Sequence, residues 1–416
     1  MAFYAVGGGL STYVPTTNDL ATGALQVEFT RTVNSFGLTR YAQIVPTTKM
    51  SGYYLRQDVT DNVRITDANE FVWPLGNDRP TGKQNSFEFI PYTTSRFTFP
   101  FYIPQESATQ ASWDVVAQHA RSKMQLAMTR RTQAAASVLA DSNSWTESGN
   151  YAAFCNSSPL SVGSGAQWTT SSTSDNWIQK TIRTVLQRVA LTSGGAVSPN
   201  QLILVISPVV AKAIAGTEEV QSYVKNYGAA RQFLQGSDTF SRWGIPPTLF
   251  GLGDVVVDDS VVVTSKKGGT LATSFVLGNG AYFVSRPGGL VGVEGATSFA
   301  TLQIFAYEDM TVEQFNDPIN RRIEGRVIDN STPAVVAPVA GYLIQNVLVM
   351  LTVDLATEFL FMRRGAKLSP AVEQRVKQAY SYCEGLRDGK MLFGTVTGNA
   401  EAGLPAIKAV PPATLG

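Results

Sequence analysis

The side chains able to do chemistry are few and do not converge. His119 is the only histidine in 416 residues, and no serine, cysteine or second metal ligand stands where it could make a nucleophile pair or a metal site with it. It reads as a packed or exposed helical residue. The glycine clusters GGGL from Gly7, GLGD from Gly251 and GNGAYF from Gly278 lack the spacing with which backbone amides cradle a phosphate, so each reads as a turn. Asp258 with Asp259 and Glu218 with Glu219 are adjacent pairs. Neighbours in a strand point to opposite faces rather than at one substrate, and solvated loop or cap roles are expected for both. Cys155 and Cys383 are too far apart in sequence to suggest a disulfide or a zinc motif, as in a reducing compartment. The expectation is a protein with no catalytic, cofactor-binding or metal-binding residues, and not an enzyme.

Composition points the same way. The chain is 44% hydrophobic, enough for two or three packed domains, yet only 16% charged, which suits a surface covered largely by neighbours. Lys plus Arg number 33 against 32 Asp plus Glu. No basic field exists to hold nucleic acid tightly or in a sequence-specific way. The N-terminus lacks a basic region followed by an apolar core, and no window reaches the length a membrane span needs, so a soluble protein made in the cytoplasm is expected.

What remains is a set of elements. Residues 1–40, rich in Gly, Thr and Asn, read as an extended arm. KMSGYYLRQDV (Lys49 to Val59) and NSFEFIPYTTSRFTFPFYIP (Asn85 to Pro104) read as strands, with Phe87 and Phe89, then Phe97, Phe99 and Phe101, at period two. DANEFVWPLGNDRPTGKQ between them has loop-tip chemistry, giving a long protruding hairpin. Ser112 to about Ala140 carries the strongest helical spacing, with Ser112 as cap and Asp114 favouring the helix N-terminus. Trp177 to Val189 marks a second helix ended by Gly194 and Gly195. In NQLILVISPVVAKAIAG, a buried strand over Leu202 to Ile206 turns at once into a helix capped by Ser207 with Pro208 in its first turn. EEVQSYVKNYG reads as a short helix. DVVVDDSVVV, SFVLGNGAYFV, FATLQIFAYED and VVAPVAGYLIQNV read as further strands. Strands and helices mix without a βαβ repeat, which predicts an α+β class.

FTFPFYIPQESATQASWDVVAQHARSKMQLAM, then NQLILVISPVVAKAIAG with EEVQSYVKNYG, GIPPTLFGLGDVVVDD and VVAPVAGYLIQNV follow in an order that resembles the major capsid protein of tailed bacteriophages, the Hong Kong 97-type fold. The resemblance implies an N-terminal arm over 1–40, an extended E-loop hairpin over 41–104, a P-domain with the spine helix over 105–195, an A-domain over 196–335, a P-domain return strand over 336–349 and a C-terminal helical extension over 350–416. It also implies self-assembly through hexamers and pentamers into an icosahedral shell, and partnership with a separate scaffold, a portal and a decoration protein. The packaged dsDNA would be held weakly and non-specifically, with no membrane involved. The location would be the virion, after assembly in the host cytoplasm. Tyr53, Tyr54, Phe71, Trp73, Phe87 and Phe89 of the hairpin are the candidate inter-subunit contacts, because aromatic side chains are costly to leave in water. Their bland alternative is a hairpin folded back on its own domain. Some relatives join Lys to Asn covalently. Lys83 and Asn85 lie near the tip, but no Glu partner is identifiable and a solubility role is expected. An encapsulin-like nanocompartment shell and an α+β enzyme are the competing readings.

Overall fold

The computed structural model describes residues 31–348 apart from 58, 60–62, 65–86, 112–113, 158, 161, 163–165, 227–237, 267 and 287–299. Residues 1–30 of the arm expected over 1–40, the hairpin tip with Phe71 and Trp73, the residues Ser112 and Trp113, and the C-terminal extension lie outside the described residues.

The longest helix among the described residues, α3 (Val115–Ala140), follows the helices α1 (Leu38–Tyr41) and α2 (Gln105–Gln110). Asp114 is its N-cap, accepting from Ala117 N at 2.9 Å. At 26 residues α3 is about 39 Å long. It packs over a four-stranded sheet of order β1 (Gln43–Pro46), β11 (Leu302–Asp317), β12 (Arg322–Val335) and β4 (Ser95–Pro104). β1 runs parallel to β11 and the other pairs are antiparallel. In β4 the alternation is as the phenylalanines foretell, with Phe101 and Ile103 buried.

A buried ion pair fastens helix to sheet. Arg131 of α3 reaches Asp329 of β12 (Nη2 to Oδ1, 2.5 Å) and Asp309 of β11 (Nη1 to Oδ1, 2.8 Å), with Arg131 2% and Asp329 0% exposed. Ser331 Oγ donates to Asp329 Oδ1 at 2.8 Å. In β12, Gly325 lies opposite Phe101, and a Cβ there would come within 2.2 Å of the ring's Cζ. The position requires glycine because the aromatic side chain lies across its backbone.

The second sheet has the order β5 (Tyr151–Phe154), β13 (Tyr342–Asn346), β10 (Ala281–Ser285), β6 (Leu202–Ile206) and β7 (Asp254–Val257). Both its faces are covered. Val205, Tyr282, Val284 and Leu343 pack into one cluster with Met128 and Leu139 of α3, while Leu204, Ile206, Phe283 and Ile344 pack with α4 (Trp177–Thr192) and α5 (Pro208–Ala215) on the other side. That double burial is why LILVI is apolar throughout instead of alternating. The β6 to α5 junction forms as its sequence dictates, with Ser207 Oγ accepting from Val210 N and Pro208 in the first turn. Gly195, with φ 79°, closes α4 by donating to Ala190 O.

Three features depart from the sequence expectation. The stretch Asn85 to Pro104 is broken at buried Thr94, so that β3 (Phe87–Thr93) pairs with β2 (Ser51–Gln57) while β4 pairs with β12. Asp254 to Val263 is interrupted at Asp258 into β7 and β8 (Val261–Val263), the latter pairing with β9 (Thr273–Phe275) in a small ribbon. Arg322–Val335, which the sequence reading does not mark as a strand, forms β12, pairing with β11 on one side and β4 on the other and packing on α3.

Candidate assembly surface

Among the described residues, Asp258 and Glu219 are used to hold the fold. Asp258 is fully buried and accepts from Tyr41 Oη (2.9 Å), Ser260 N (3.0 Å) and Ser260 Oγ (2.6 Å). Burial, and then the Asp258 charge, raise the Tyr41 phenol well above its ordinary value. Its neighbour Asp259 pairs with Arg31 at 2.8 Å and Arg242 at 3.4 Å. Glu219, in helix α6 (Glu218–Asn226), is also buried and caps α4 from outside. It accepts from Ile178 N (3.0 Å) and Gln179 N (2.8 Å) and from Ser171 Oγ. The α4 N-cap residue, Asn176, is left-handed and makes no cap bond, so Glu219 satisfies amides that would otherwise be orphaned and complements the helix dipole.

Of the solvated loop or cap roles expected for these pairs, Glu219 fills a cap role, while the expected solvation fails for Asp258 and Glu219, both of which are buried. Both partners come from sequence-distant segments that no local pattern reveals. His119 sits half-buried with Nδ1 2.8 Å from Val115 O, one turn back, and its ring 6.0 Å from that of Phe101. Burial pushes the Cys155 thiol up to about 12, which makes it a core residue and no nucleophile.

The β2–β3 ribbon presents a different picture. Its register sets Tyr53 opposite Pro91, Tyr54 opposite Ile90, Leu55 opposite Phe89 and Arg56 opposite Glu88. Side chains directly opposite share a face and successive ones alternate, so the ribbon has two unlike sides. One side is tied to the body of the protein. Tyr54 and Tyr92 stack on Phe305 with ring centroids 5.5 and 4.5 Å away, and Arg56 pairs with Glu88 at 2.5 Å and also with Glu147. Burial raises the Tyr54 phenol above its ordinary value. The other side is bare: Tyr53 is 70%, Leu55 56%, Phe87 49% and Phe89 65% exposed.

Of the six aromatic residues singled out from sequence, three thus lie on one open face. Tyr54 belongs to the packed side, because its place in the alternation turns it inward. Phe71 and Trp73 fall outside the described residues. Leu55 was missed, although it is an apolar residue two positions from Tyr53, and period two alone would have placed it on the same face. A second exposed apolar group lies on the four-stranded sheet, where Tyr102, Glu324 and Phe315 form a row across β4, β12 and β11 and Ile319 stands at the β11–β12 turn, 90% exposed. An apolar face on a two-stranded ribbon cannot be buried by the ribbon itself.

No family model and no curated protein matches the chain. Solved structures do. A phage-related protein from Bordetella bronchiseptica is 18% identical with a TM-score of 0.53, the match covering 79% of this chain and 95% of that one. The mature capsid of bacteriophage PhiM1 is 10% identical with a TM-score of 0.45, covering 77% of this chain and 89% of that one, and the capsid of cyanophage P-SCSP1u is 8% identical with a TM-score of 0.45, covering 82% and 93%. The chain is an α+β protein that shares its fold with the phage-related protein of Bordetella bronchiseptica.

Proposed function

We propose that this is the major capsid protein of a tailed bacteriophage, a structural subunit that assembles with copies of itself into an icosahedral head around dsDNA. The observation that carries the reading is the β2–β3 ribbon, anchored on one side and bare and aromatic on the other. A shell needs many identical contacts that are individually modest, and extended ribbons lying on neighbours provide area that a compact domain cannot. The fold shared with a phage-related protein supports it. So does the order of ribbon, long helix and mixed sheets, which is that of the capsid resemblance. In this reading Tyr53, Phe87 and Phe89, with Leu55, contact the next subunit. Helix α3 with the four-stranded sheet forms the P-domain and the five-stranded sheet the core of the A-domain.

Partners in this reading are hexamers and pentamers of the same chain, with a separate scaffold, a portal and a decoration protein. The place of assembly is the host cytoplasm and the final location the virion. With a net charge of +1, contact with packaged DNA is weak and independent of sequence. Electron microscopy of the expressed protein, alone and with its phage scaffold, tests the reading. Shells or capsomer rings are expected, and small cargo-filled shells would point to a nanocompartment instead. The variant Leu55→Ser/Phe89→Ser should stay folded by circular dichroism and lose the assemblies. Shells of normal yield from it would overturn the assignment of the ribbon.

A further inference from the structure

An open groove of about 610 Å³ runs between the C-terminal part of α3 and the β5–β13 side of the five-stranded sheet, lined among others by Ala134, Ser137 and Ala140 of α3, Phe154 of β5, Val276, and Asn346 of β13. We propose that this groove is the seat of an amphipathic helix formed by Ser369 to Leu386 of the same chain. The chain itself leads there. Asn346 is part of the groove wall, Val347 N donates to Asn279 O at 3.1 Å, and Leu348 is the last described residue before residues 349–416. Between Leu348 and Ser369 lie twenty residues, which at up to roughly 3.3 Å each reach any point of the groove.

The sequence of that segment supplies the complement. Ser369 and Pro370 form a cap and first turn, and Val372, Val376, Ala379, Cys383 and Leu386 recur at intervals of four and three, a single stripe along a helix. A stripe of that length is marginal alone in water and needs an apolar surface. On α3 the groove wall carries the small side chains of Ala134, Ala136, Ser137 and Ala140 beside Arg130 and Gln133, and the small ones let a second helix approach closely while the two long polar ones border it.

Native Cys383 lies on the proposed buried stripe, and the other cysteine, Cys155, is locked in the core, so disulfide trapping is specific. In the full-length protein, Gln133→Cys and Ser137→Cys, one turn apart on α3, are each oxidised under mild conditions and mapped by mass spectrometry. The expected result is an intrachain disulfide from at least one of them to Cys383, lost in Cys383→Ser, because such a bond forms only with Cα atoms closer than about 7 Å. Deuterium uptake of α3 over residues 133–140 should also rise when the chain is cut after Leu348. A disulfide between two chains would assign the groove to a neighbouring copy, and no disulfide from either position would leave the helix elsewhere. Either result overturns the proposal.

Discussion

Replacing Arg131 by Met tests the fastening of the long helix most sharply. The substitution keeps much of the aliphatic volume and removes the guanidinium that gives Asp329 two contacts, at 2.5 and 3.4 Å, and Asp309 one at 2.8 Å. Asp329, 0% exposed, would keep the Ser331 hydroxyl and the charge of nearby Arg130 but no direct ion-pair partner. An unpaired buried charge of this kind costs about 3–5 kcal/mol. With about 1 °C per kcal/mol in a chain of this size, the midpoint should fall by roughly 3–6 °C.

Differential scanning fluorimetry at pH 8 reads the loss directly. The double variant Arg131→Met/Asp329→Asn removes the charge and should recover most of the loss at pH 8. A midpoint unchanged within 2 °C in the single variant, or a double variant worse than the single at pH 8, would refute the account.

Other positions give independent checks. Gly325→Ala places a Cβ 2.2 Å from the Phe101 ring and should cost about 1–3 kcal/mol, with Phe101→Leu relieving part of it; additive losses in urea denaturation would contradict the contact. Glu219→Ala removes the acceptor of Ile178 N and Gln179 N and should cost about 1–3 kcal/mol, read as faster amide exchange in the first turn of α4. Cys155, its thiol pushed up to about 12 by burial, should resist a thiol reagent at pH 8 in the folded protein and react in urea. Prompt labelling of the native chain at Cys155 would place it at a surface.

What the sequence determined by itself is whatever is decided within one or two turns of the chain. The Ser207–Pro208 cap, the glycines after α4 and the spacing along α3 act on immediate neighbours, so their residue types reveal them. The alternation in β4 and the unbroken apolar run of β6 likewise report one-sided and two-sided burial. What only the tertiary structure decided are pairings across long separations. Asp258 and Glu219 look like surface carboxylates until Tyr41 and the start of α4 are brought to them. The strand β12 is polar in sequence because Arg131, 198 residues from Asp329, meets its acidic residue from the helix above. The candidate surface divides in the same way. Sequence marks the ribbon as aromatic, but which side faces water follows from the stacking of Tyr54 and Tyr92 on Phe305. That contact links β2 and β3 to a strand more than 200 residues away, whose position no local rule fixes.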